Sequence, residues 1–298
     1  MKRWHLAVAL LFAIGLLAVA TSARERASDA HHVARYAAWS GGKIRYVRAG
    51  RGRTVVLIHG YGESLVAWRG VFDVLAREYD VIALDMPGFG LSSKPPGGYA
   101  TDSVAAHVLD ALRSIGVRRA VLVGHSMGGA VSSAAALADT AMVAELVLVD
   151  PAVVGAPMVV PSDTSAAPGV ARRTIAEYEA LRTRFTAPHD PQWLVESDSA
   201  LAYLPAEDSA YRVSAAAVLT QFDFGYLTPE RAHRLRQPTL ILWGEYDPVL
   251  PIASGRAVAA LLPHARFEVI PRSWHRPHVE RPAETAQAIR RFLAARAP

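Results

Sequence analysis

The sequence predicts an α/β fold, in which helices cover both faces of a mostly parallel sheet. Two observations carry this prediction. Short, continuous apolar runs rich in valine, isoleucine and leucine recur along the 298-residue chain, and such runs are typical of parallel strands buried on both faces. Amphipathic helical patterns lie between the runs, and this alternation of strand and helix indicates a sheet covered on both sides.

The predicted strands are short and end in turn residues. A period-two stretch at 43–48 suits a half-buried antiparallel strand. Continuous apolar runs follow at 54–58, 80–85, 120–123, 145–150, 239–243 and 266–270. Helical patterns occupy 101–115, 126–138 and 283–295.

The alternation stops between residues 151 and 237, which divides the predicted core into two parts. This stretch contains prolines followed by helical patterns with aromatic residues, and it has no buried strand run. We interpret it as a helical cap inserted into the core and lying over the ends of the strands. The core is therefore predicted at 33–150 and 238–298.

The composition excludes several classes of function. Hydrophobic residues make up 51% of the chain and charged residues 20%, as in a globular protein with a sizeable core. The net charge is +5, but the arginines are scattered, so we expect a mildly basic solvated surface and no nucleic-acid binding. The chain has no cysteine, which excludes disulfides, thiolate metal sites and a cysteine nucleophile.

The N-terminal segment, residues 1–23, predicts the cellular location of the protein. Lys2 and Arg3 precede an apolar run from residue 6 to residue 20, and the small residues that follow offer cleavage sites for a signal peptidase. Residues 24–32 are polar and small, as in a linker. The run is shorter than the roughly 20 residues of a usual membrane span, so we expect a cleaved signal peptide, with an uncleaved membrane anchor as the alternative. Both place the folded domain outside the cytoplasm, as a periplasmic, secreted or membrane-anchored protein.

The motif Gly-His-Ser-Met-Gly-Gly at 124–129 contains the candidate nucleophile, Ser126. It follows a buried strand run and precedes a helical pattern, which is the context that the G-x-S-x-G signature requires. The serine of such a turn has a strained backbone, and side chains two positions away would collide with neighbouring backbone, so Gly124 and Gly128 fit there. The helix that follows directs its N-terminus at the site, which favours developing negative charge.

A serine hydroxyl needs a base to accept its proton, and the base needs an acid to orient it. After a serine in this context, the acid and then the histidine follow along the chain. Asp247 and His275 each lie just past a buried strand run, where the carboxyl ends of parallel strands form ligand sites. Glu245 and Asp150 compete for the role of the acid, and His278 competes for that of the base.

The turn at 59–62, after the first buried strand, is the third element of the candidate site. An acyl-transfer site needs two backbone N–H groups directed at the oxyanion that forms. Met127, next to the candidate nucleophile, supplies one, and Tyr61 in the glycine-flanked turn can supply the other. We expect structural roles for His59 and for His125, whose side chain should point away from the site. The histidines show no metal-ligand spacing, so no metal is expected, and no cofactor either.

These motifs resemble those of the α/β-hydrolase fold superfamily, in the group that carries a helical cap after the sixth strand. The resemblance covers about residues 35 to 297 and implies a sheet of eight strands. The matching segments, in the family's order, are His59–Gly62, Asp85–Gly90, Gly124–Gly129, Gly244–Asp247 and His275–Pro282. The last segment matches the family's H-x-P-x-x-E-x-P pattern, which favours His275 over His278 as the base.

The resemblance implies two-step acyl transfer, in which Ser126 attacks an ester carbonyl and His275 accepts its proton. Haloalkane dehalogenases and epoxide hydrolases of the group carry aspartate in place of the serine, so Ser126 disfavours both. Carbon–carbon bond hydrolases usually have asparagine before the nucleophile, where this chain has His125, and a longer glycine turn. We therefore predict a carboxylic-ester hydrolase, esterase-like or lipase-like, that acts on a small-molecule ester with an apolar acyl group.

Alternatives stay open at this point. A carbon–carbon bond hydrolase or a cofactor-free perhydrolase would have the same fold, and a binding protein could keep the fold without turnover. Aromatic residues of the insertion suggest an apolar pocket wall. We expect a monomer or a homodimer, and association with a membrane only through the N-terminal apolar segment.

Overall fold

The computed structural model describes residues 32–154, 193–195 and 208–295. A sheet of eight strands forms its centre, with the spatial order β1-β2-β4-β3-β5-β6-β7-β8. The strands are β1 (Arg35–Trp39), β2 (Gly42–Ala49), β3 (Thr54–Ile58), β4 (Asp80–Leu84), β5 (Ala120–His125), β6 (Val143–Val149), β7 (Thr239–Gly244) and β8 (Arg266–Ile270). Strand β2 runs antiparallel to both of its neighbours, and all other pairs in the sheet are parallel. The predicted α/β fold with a mostly parallel eight-stranded sheet is confirmed.

Helices lie on both faces of this sheet. They are the 3-10 helix Leu65–Trp68 and the α-helices α1 (Arg69–Leu75), α2 (Thr101–Ser114), α3 (Met127–Ala138), α4 (Ser209–Gln221), α5 (Pro229–Arg234), α6 (Ile252–Leu261), α7 (Pro277–Glu280) and α8 (Pro282–Ala294). Helices α2, α3 and α6 contribute to one hydrophobic cluster, and α1 and α8 contribute to a second one.

Alternate residues of a strand enter opposite clusters, as the pleat of a sheet requires. In β3, Val56 and Ile58 belong to the first cluster, whereas Val55 and Leu57 belong to the second. All four are fully buried. This two-sided burial explains why the strand appears in the sequence as a continuous apolar run.

The strand order changes direction at β3, and this places the candidate site. Strands β4 and β5 flank β3 on opposite sides and both run parallel to it. The connections that leave the carboxyl ends of β3 and β5 therefore diverge to opposite faces. In open α/β sheets, ligands bind in the crevice that such a divergence opens.

The structure describes part of the insertion predicted at 151–237. Helices α4 and α5 fall within it, as the helical patterns predict. Helix α4 contacts the core directly, since the Ser214 hydroxyl donates to Gly88 O at 2.8 Å and the Tyr61 hydroxyl donates to Ala215 O at 3.2 Å. The rest of the predicted cap, at 155–192 and 196–207, lies outside the described residues.

The N-terminal predictions at 1–23 and 24–31 also lie outside the described residues. His32, which we assigned to the linker, pairs in parallel with Leu194 in a two-residue strand whose second pair is Val33 with Val195. The sequence pattern did not predict this short pairing. In the part of the chain that the structure describes, no helix is long and apolar enough to cross a membrane.

Candidate active site

Ser126 lies in the sharp turn between β5 and α3. Its φ of 48° and ψ of −115° fall where residues other than glycine are rarely found. Close packing surrounds the turn: a Cβ on Gly124 would lie 2.2 Å from Gly128 O, and a Cβ on Gly128 would lie 2.3 Å from Ile58 O. Both positions therefore require glycine, and the turn holds Ser126 at the end of the strand.

The structure brings Ser126, His275 and Asp247 together. The distance from Ser126 Oγ to His275 Nε2 is 3.1 Å, and the distance from His275 Nδ1 to Asp247 Oδ2 is 2.7 Å. The Asp247 carboxylate can only accept a hydrogen bond, so Nδ1 carries the proton of the neutral imidazole and Nε2 presents a lone pair to the serine. This arrangement can remove the hydroxyl proton while oxygen attacks an electrophile.

Backbone amides hold Asp247 as an anion. Its Oδ1 accepts hydrogen bonds from Val249 N at 2.8 Å and Leu250 N at 2.9 Å. Burial alone would raise the pKa of Asp247, but the adjacent His275 and these amides hold the pKa below its usual value. Glu245, one of the two competing acids, is exposed and accepts from Arg272 N instead.

Asp150, the other competing acid, is fully buried beside Asp247. Its Oδ1 accepts from Gly244 N at 2.8 Å, and an oxygen of each of the two carboxyl groups lies within 4.8 Å of the other. Burial and the charge of Asp247 raise the pKa of Asp150 well above its usual value. Asp150 is therefore the carboxyl group of this pair that favours the protonated form, a role that the sequence did not indicate.

Tyr61 and Met127 occupy equivalent positions in two neighbouring turns. Ile58 of β3 is in register with Gly124 of β5, and each predicted oxyanion donor follows its strand residue by the same number of positions. The two turns therefore leave the same edge of the sheet side by side. Met127 begins α3, and the first N–H groups of a helix have no partner within the helix. The Met127 amide is therefore adjacent to Ser126, and the strand register brings the turn of Tyr61 next to the same elbow.

A buried charged cluster behind these turns was not predicted from the sequence. Its centre is Glu63, whose carboxylate accepts from Gly60 N at 2.8 Å and lies 3.0 Å from His125 Nδ1 and 2.8 Å from Arg276 Nε. Burial would raise the pKa of Glu63, but His125 and Arg276 hold it well below its usual value. On its other side, the His125 ring contacts the backbone of His275, with Nε2 at 2.6 Å from the carbonyl oxygen.

Two further histidines, His278 and His59, are buried among residues outside the candidate triad. His278, the competing base, is buried against the rings of Trp68 and His125, at centroid distances of 4.2 Å and 4.4 Å. Neither of its ring nitrogens has a hydrogen-bond partner among the described residues, and burial lowers its pKa well below the usual value. His59 accepts from Met86 N at 2.9 Å through Nε2, and burial lowers its pKa too.

Two groups of described side chains bring three potential metal ligands within 4.8 Å of one another. They are Glu63, His125 and His278 in one group, and Asp150, Asp247 and His275 in the other. In the first group Arg276 already neutralises the carboxylate. In the second group Asp150 favours its protonated form. In each group a metal ion would therefore compete with another cation, Arg276 or a proton, for a carboxylate oxygen.

Aromatic side chains extend from the oxyanion turn toward the cap. The Phe89 ring lies 5.6 Å from the Tyr61 ring and 6.2 Å from the Tyr211 ring, all in edge-to-face geometry. Tyr211 belongs to α4 of the insertion. This cluster fits the apolar wall that the aromatic residues of the insertion suggest.

Comparison with known proteins identifies hydrolases that are similar to this chain. A family model described as the alpha/beta hydrolase fold matches residues 53–282. The 2-hydroxy-6-oxo-6-(2'-aminophenyl)hexa-2,4-dienoic acid hydrolase of Metapseudomonas resinovorans is 32% identical over 91% of this chain and 94% of its own. The structure of an esterase from Rhodococcus sp. ECU1013 is 26% identical, with a TM-score of 0.68 over 89% of this chain and 99% of the esterase. A bacterial membrane phospholipase A is 27% identical, with a TM-score of 0.61 over 99% of both chains.

The family match includes the turn of Tyr61, the elbow of Ser126, the insertion and the loops that carry Asp247 and His275. The two turns and the two loops lie at the carboxyl ends of the strands that precede them. Strand order, elbow geometry and family match agree, and the chain belongs to the α/β-hydrolase fold family.

Proposed function

We propose that this protein is a serine hydrolase that cleaves carboxylic esters through an acyl-enzyme. The observation that carries the proposal is the continuous hydrogen-bonded chain from Ser126 Oγ through the His275 ring to Asp247. Asp247 fixes the tautomer of the imidazole, and the free Nε2 lone pair faces the hydroxyl. Membership of a hydrolase fold family supports hydrolysis as the reaction class.

The geometry supports a two-step reaction. Ser126 Oγ attacks the ester carbonyl carbon while its proton passes to His275 Nε2, and the oxyanion accepts hydrogen bonds from the amides of Tyr61 and Met127. The imidazolium then gives the proton to the leaving alcohol as the carbon–oxygen bond breaks. Water, deprotonated by His275, attacks the acyl-enzyme and releases the acid and the free serine.

Hydrolysis of a carbon–carbon bond is the second candidate, because a relative at 32% identity is named as a dienoic acid hydrolase. The residue before Ser126 favours ester hydrolysis over hydrolysis of a carbon–carbon bond. Carbon–carbon hydrolases of this fold usually have asparagine at this position. This chain has His125 instead, which contacts Glu63 and the carbonyl oxygen of His275. The aromatic wall of Tyr61, Phe89 and Tyr211 also suits an apolar acyl chain.

The proposed substrate class is an ester with an apolar acyl group, with lipid esters included. A membrane phospholipase A that aligns over 99% of both chains supports this extension. On the N-terminal sequence we also propose that the folded domain lies outside the cytoplasm. The intact mass of the protein isolated from its host distinguishes a cleaved signal from an anchor, since signal cleavage would remove the apolar segment and an anchor would keep it.

A substrate panel tests the proposed activity. The full chain is assayed with p-nitrophenyl esters of graded acyl length, a phospholipid, an amide and a ring-cleavage dienoic acid, with Ser126→Ala as the control for each. We expect the highest kcat/KM for an ester with an apolar acyl chain. Turnover of the dienoic acid with a higher kcat/KM than any ester would replace this proposal with the carbon–carbon reaction.

A further inference from the structure

A cluster of four side chains lies between the oxyanion turn and the loop of His275, and it consists of Glu63, His125, Arg276 and His278. All four are buried, with at most 4% of each residue exposed. Charged groups are rarely buried without a partner or a function. The hydrogen bonds of the cluster determine where its protons are.

The ring of His125 has an acceptor at each nitrogen. Its Nε2 is 2.6 Å from the carbonyl oxygen of His275, and a carbonyl oxygen has no proton to donate, so Nε2 carries a hydrogen. Its Nδ1 is 3.0 Å from Glu63 Oε2. The protonation of Nδ1 therefore depends on whether Glu63 is ionised.

Two contacts show that Glu63 is a carboxylate. The same Oε2 accepts a hydrogen bond from Gly60 N at 2.8 Å, and Oε1 lies 2.8 Å from Nε of Arg276. The guanidinium keeps its charge in proteins, and it favours the ionised form of an adjacent carboxyl. An ionised carboxylate is an acceptor only, so Nδ1 of His125 must donate.

We propose that His125 is a charged imidazolium at neutral pH, and that Glu63 and His125 act as positioning residues that tie the oxyanion turn to the backbone of the catalytic base. This inference rests on the proposed function and extends it. The link runs from Gly60, which precedes Tyr61, through the Glu63 carboxylate and the His125 ring to the His275 carbonyl. It fixes the spacing between the group that removes the proton and one amide that binds the oxyanion.

The cluster also carries one excess positive charge under this assignment. The single negative charge of Glu63 is balanced by Arg276, which leaves the charge of His125 next to the elbow that holds Ser126. The His125 ring lies against the oxyanion turn, because a Cβ on Gly60 would be 2.7 Å from Nδ1. A fixed positive charge in a water-excluded site favours the oxyanion that forms in the transition state.

The other groups facing His125 are consistent with its charge. They are Glu63, Arg276, His59, His275 and His278. Burial lowers the pKa of His59 and of His278, so these two rings stay neutral and do not add like charges beside His125. The Glu63 carboxylate supplies the opposite charge within hydrogen-bonding distance.

Nuclear magnetic resonance tests the charge without any variant. The full chain is labelled with ¹⁵N and ¹³C, and the ring nitrogens of His125 are assigned through the backbone by triple-resonance experiments. We expect both nitrogens to be protonated at neutral pH, with two slowly exchanging ring protons. A neutral ring with a single N–H would overturn the proposal, whether or not the protein hydrolyses any ester.

Glu63→Gln tests the positioning role. Glutamine keeps the shape of the side chain and, through its carbonyl oxygen, an acceptor for Gly60 N, but it carries no charge to stabilise an imidazolium. The control is Glu145→Gln, which also separates a buried carboxylate from an arginine, Arg53 at 2.6 Å, but near the amino end of β6, at the opposite end of the strands from the site. In Glu63→Gln we expect a neutral His125 and a kcat lower by about tenfold at unchanged KM, less than the roughly 100-fold loss of a direct oxyanion donor.

The possible results distinguish a failure of the positioning role from a failure of the charge assignment or of the proposed function. Wild-type kcat in a folded Glu63→Gln, or an equal loss in Glu145→Gln, would contradict the positioning role. If Glu63→Gln does not fold, the ring protons of the wild-type chain still decide the charge of His125. If the wild-type chain hydrolyses no ester, the proposed function fails, while a doubly protonated His125 would still be observed.

Discussion

Asp150 and Asp247 bring two buried carboxyl groups together where β6 and β7 end. An oxygen of each lies within 4.8 Å of the other and of a ring nitrogen of His275. Two like charges this close in the interior disfavour each other, so one group keeps its proton. Asp247 is the anion, because it accepts from His275 and from two backbone amides. Asp150 is the neutral partner.

The different protonation of Asp150 and Asp247 predicts how Asp150→Asn changes the stability of the protein with pH. The pKa of Asp150 is raised in the folded protein, whereas in the unfolded chain the group ionises near pH 3.9. The folded state then binds more protons than the unfolded state, so this group makes stability fall as pH rises above about 4. Asparagine keeps an acceptor for Gly244 N and a donor for Asp247 and cannot ionise. We expect Asp150→Asn to unfold at a higher urea concentration than the wild type at about pH 8.

The difference in stability between Asp150→Asn and the wild type should shrink toward about pH 4, where the wild-type carboxyl group is protonated in both the folded and the unfolded state. Asp150→Leu is the control, since leucine leaves Gly244 N without its acceptor and should destabilise the protein at every pH by about 1–3 kcal/mol. Catalysis in Asp150→Asn should stay within a few-fold of wild type. An asparagine variant less stable than the wild type at alkaline pH would show that Asp150 is ionised in the folded protein.

Tyr61→Phe tests the link between the oxyanion turn and the cap. The substitution keeps the backbone amide and removes the hydroxyl that donates to Ala215 O of α4. Burial raises the pKa of this hydroxyl, so it remains a donor through the neutral range. We expect a stability loss of about 1 kcal/mol. Because α4 forms part of the aromatic wall, kcat/KM should fall more for long acyl esters than for the acetate.

Tyr226→Phe is the matched control for this experiment. Its hydroxyl donates to Asp102 at 2.5 Å, a contact between the segment after α4 and the start of α2. Tyr226→Phe should lower stability without changing the dependence of kcat/KM on acyl length. The same chain-length profile in Tyr61→Phe and in wild type would argue against a role for this hydroxyl in placing the cap.

Gly128→Ala tests the close approach of β3 to the elbow. The added methyl would lie 2.3 Å from Ile58 O and 2.5 Å from His59 O, so β3 or α3 must move. We expect a loss of about 3 kcal/mol in the free energy of unfolding and a kcat at least about tenfold lower, because the two oxyanion turns separate. Thermal unfolding and ester turnover measure the two effects. Gly97→Ala is the control, since its methyl meets only Gln221 Nε2 at 3.8 Å, and a comparable loss there would contradict the steric explanation.

The sequence pattern predicts the buried strands and the longer helices of the core and misses the edge strand β1 and the helices α1 and α6. Strands β3 to β7 are buried on both faces, so their apolar runs are continuous. Strand β1 pairs only with β2 and has exposed residues such as Arg35 and Tyr36, so its pattern is weak. Helix α1 has only seven residues, and the helical patterns recognised in the sequence did not include it or α6.

The candidate triad could be predicted because each member follows a recognisable strand and the order along the chain is informative. The charged cluster could not. Glu63 and His125 are 62 residues apart, and their protonation follows from contacts that no local pattern records. Asp150 was considered as a competing acid, but its neutral state depends on the distance to Asp247, which only the packing of β6 beside β7 determines.

Covalent labelling of Ser126 tests the central claim most directly. The full chain and Ser126→Ala are treated with a fluorophosphonate, and digested peptides are analysed by mass spectrometry beside assays of p-nitrophenyl ester turnover. We expect one added phosphonyl group, on Ser126, which is absent from a folded Ser126→Ala whose kcat is at least about 1,000-fold lower. Labelling at another residue, or wild-type turnover by Ser126→Ala, would contradict it.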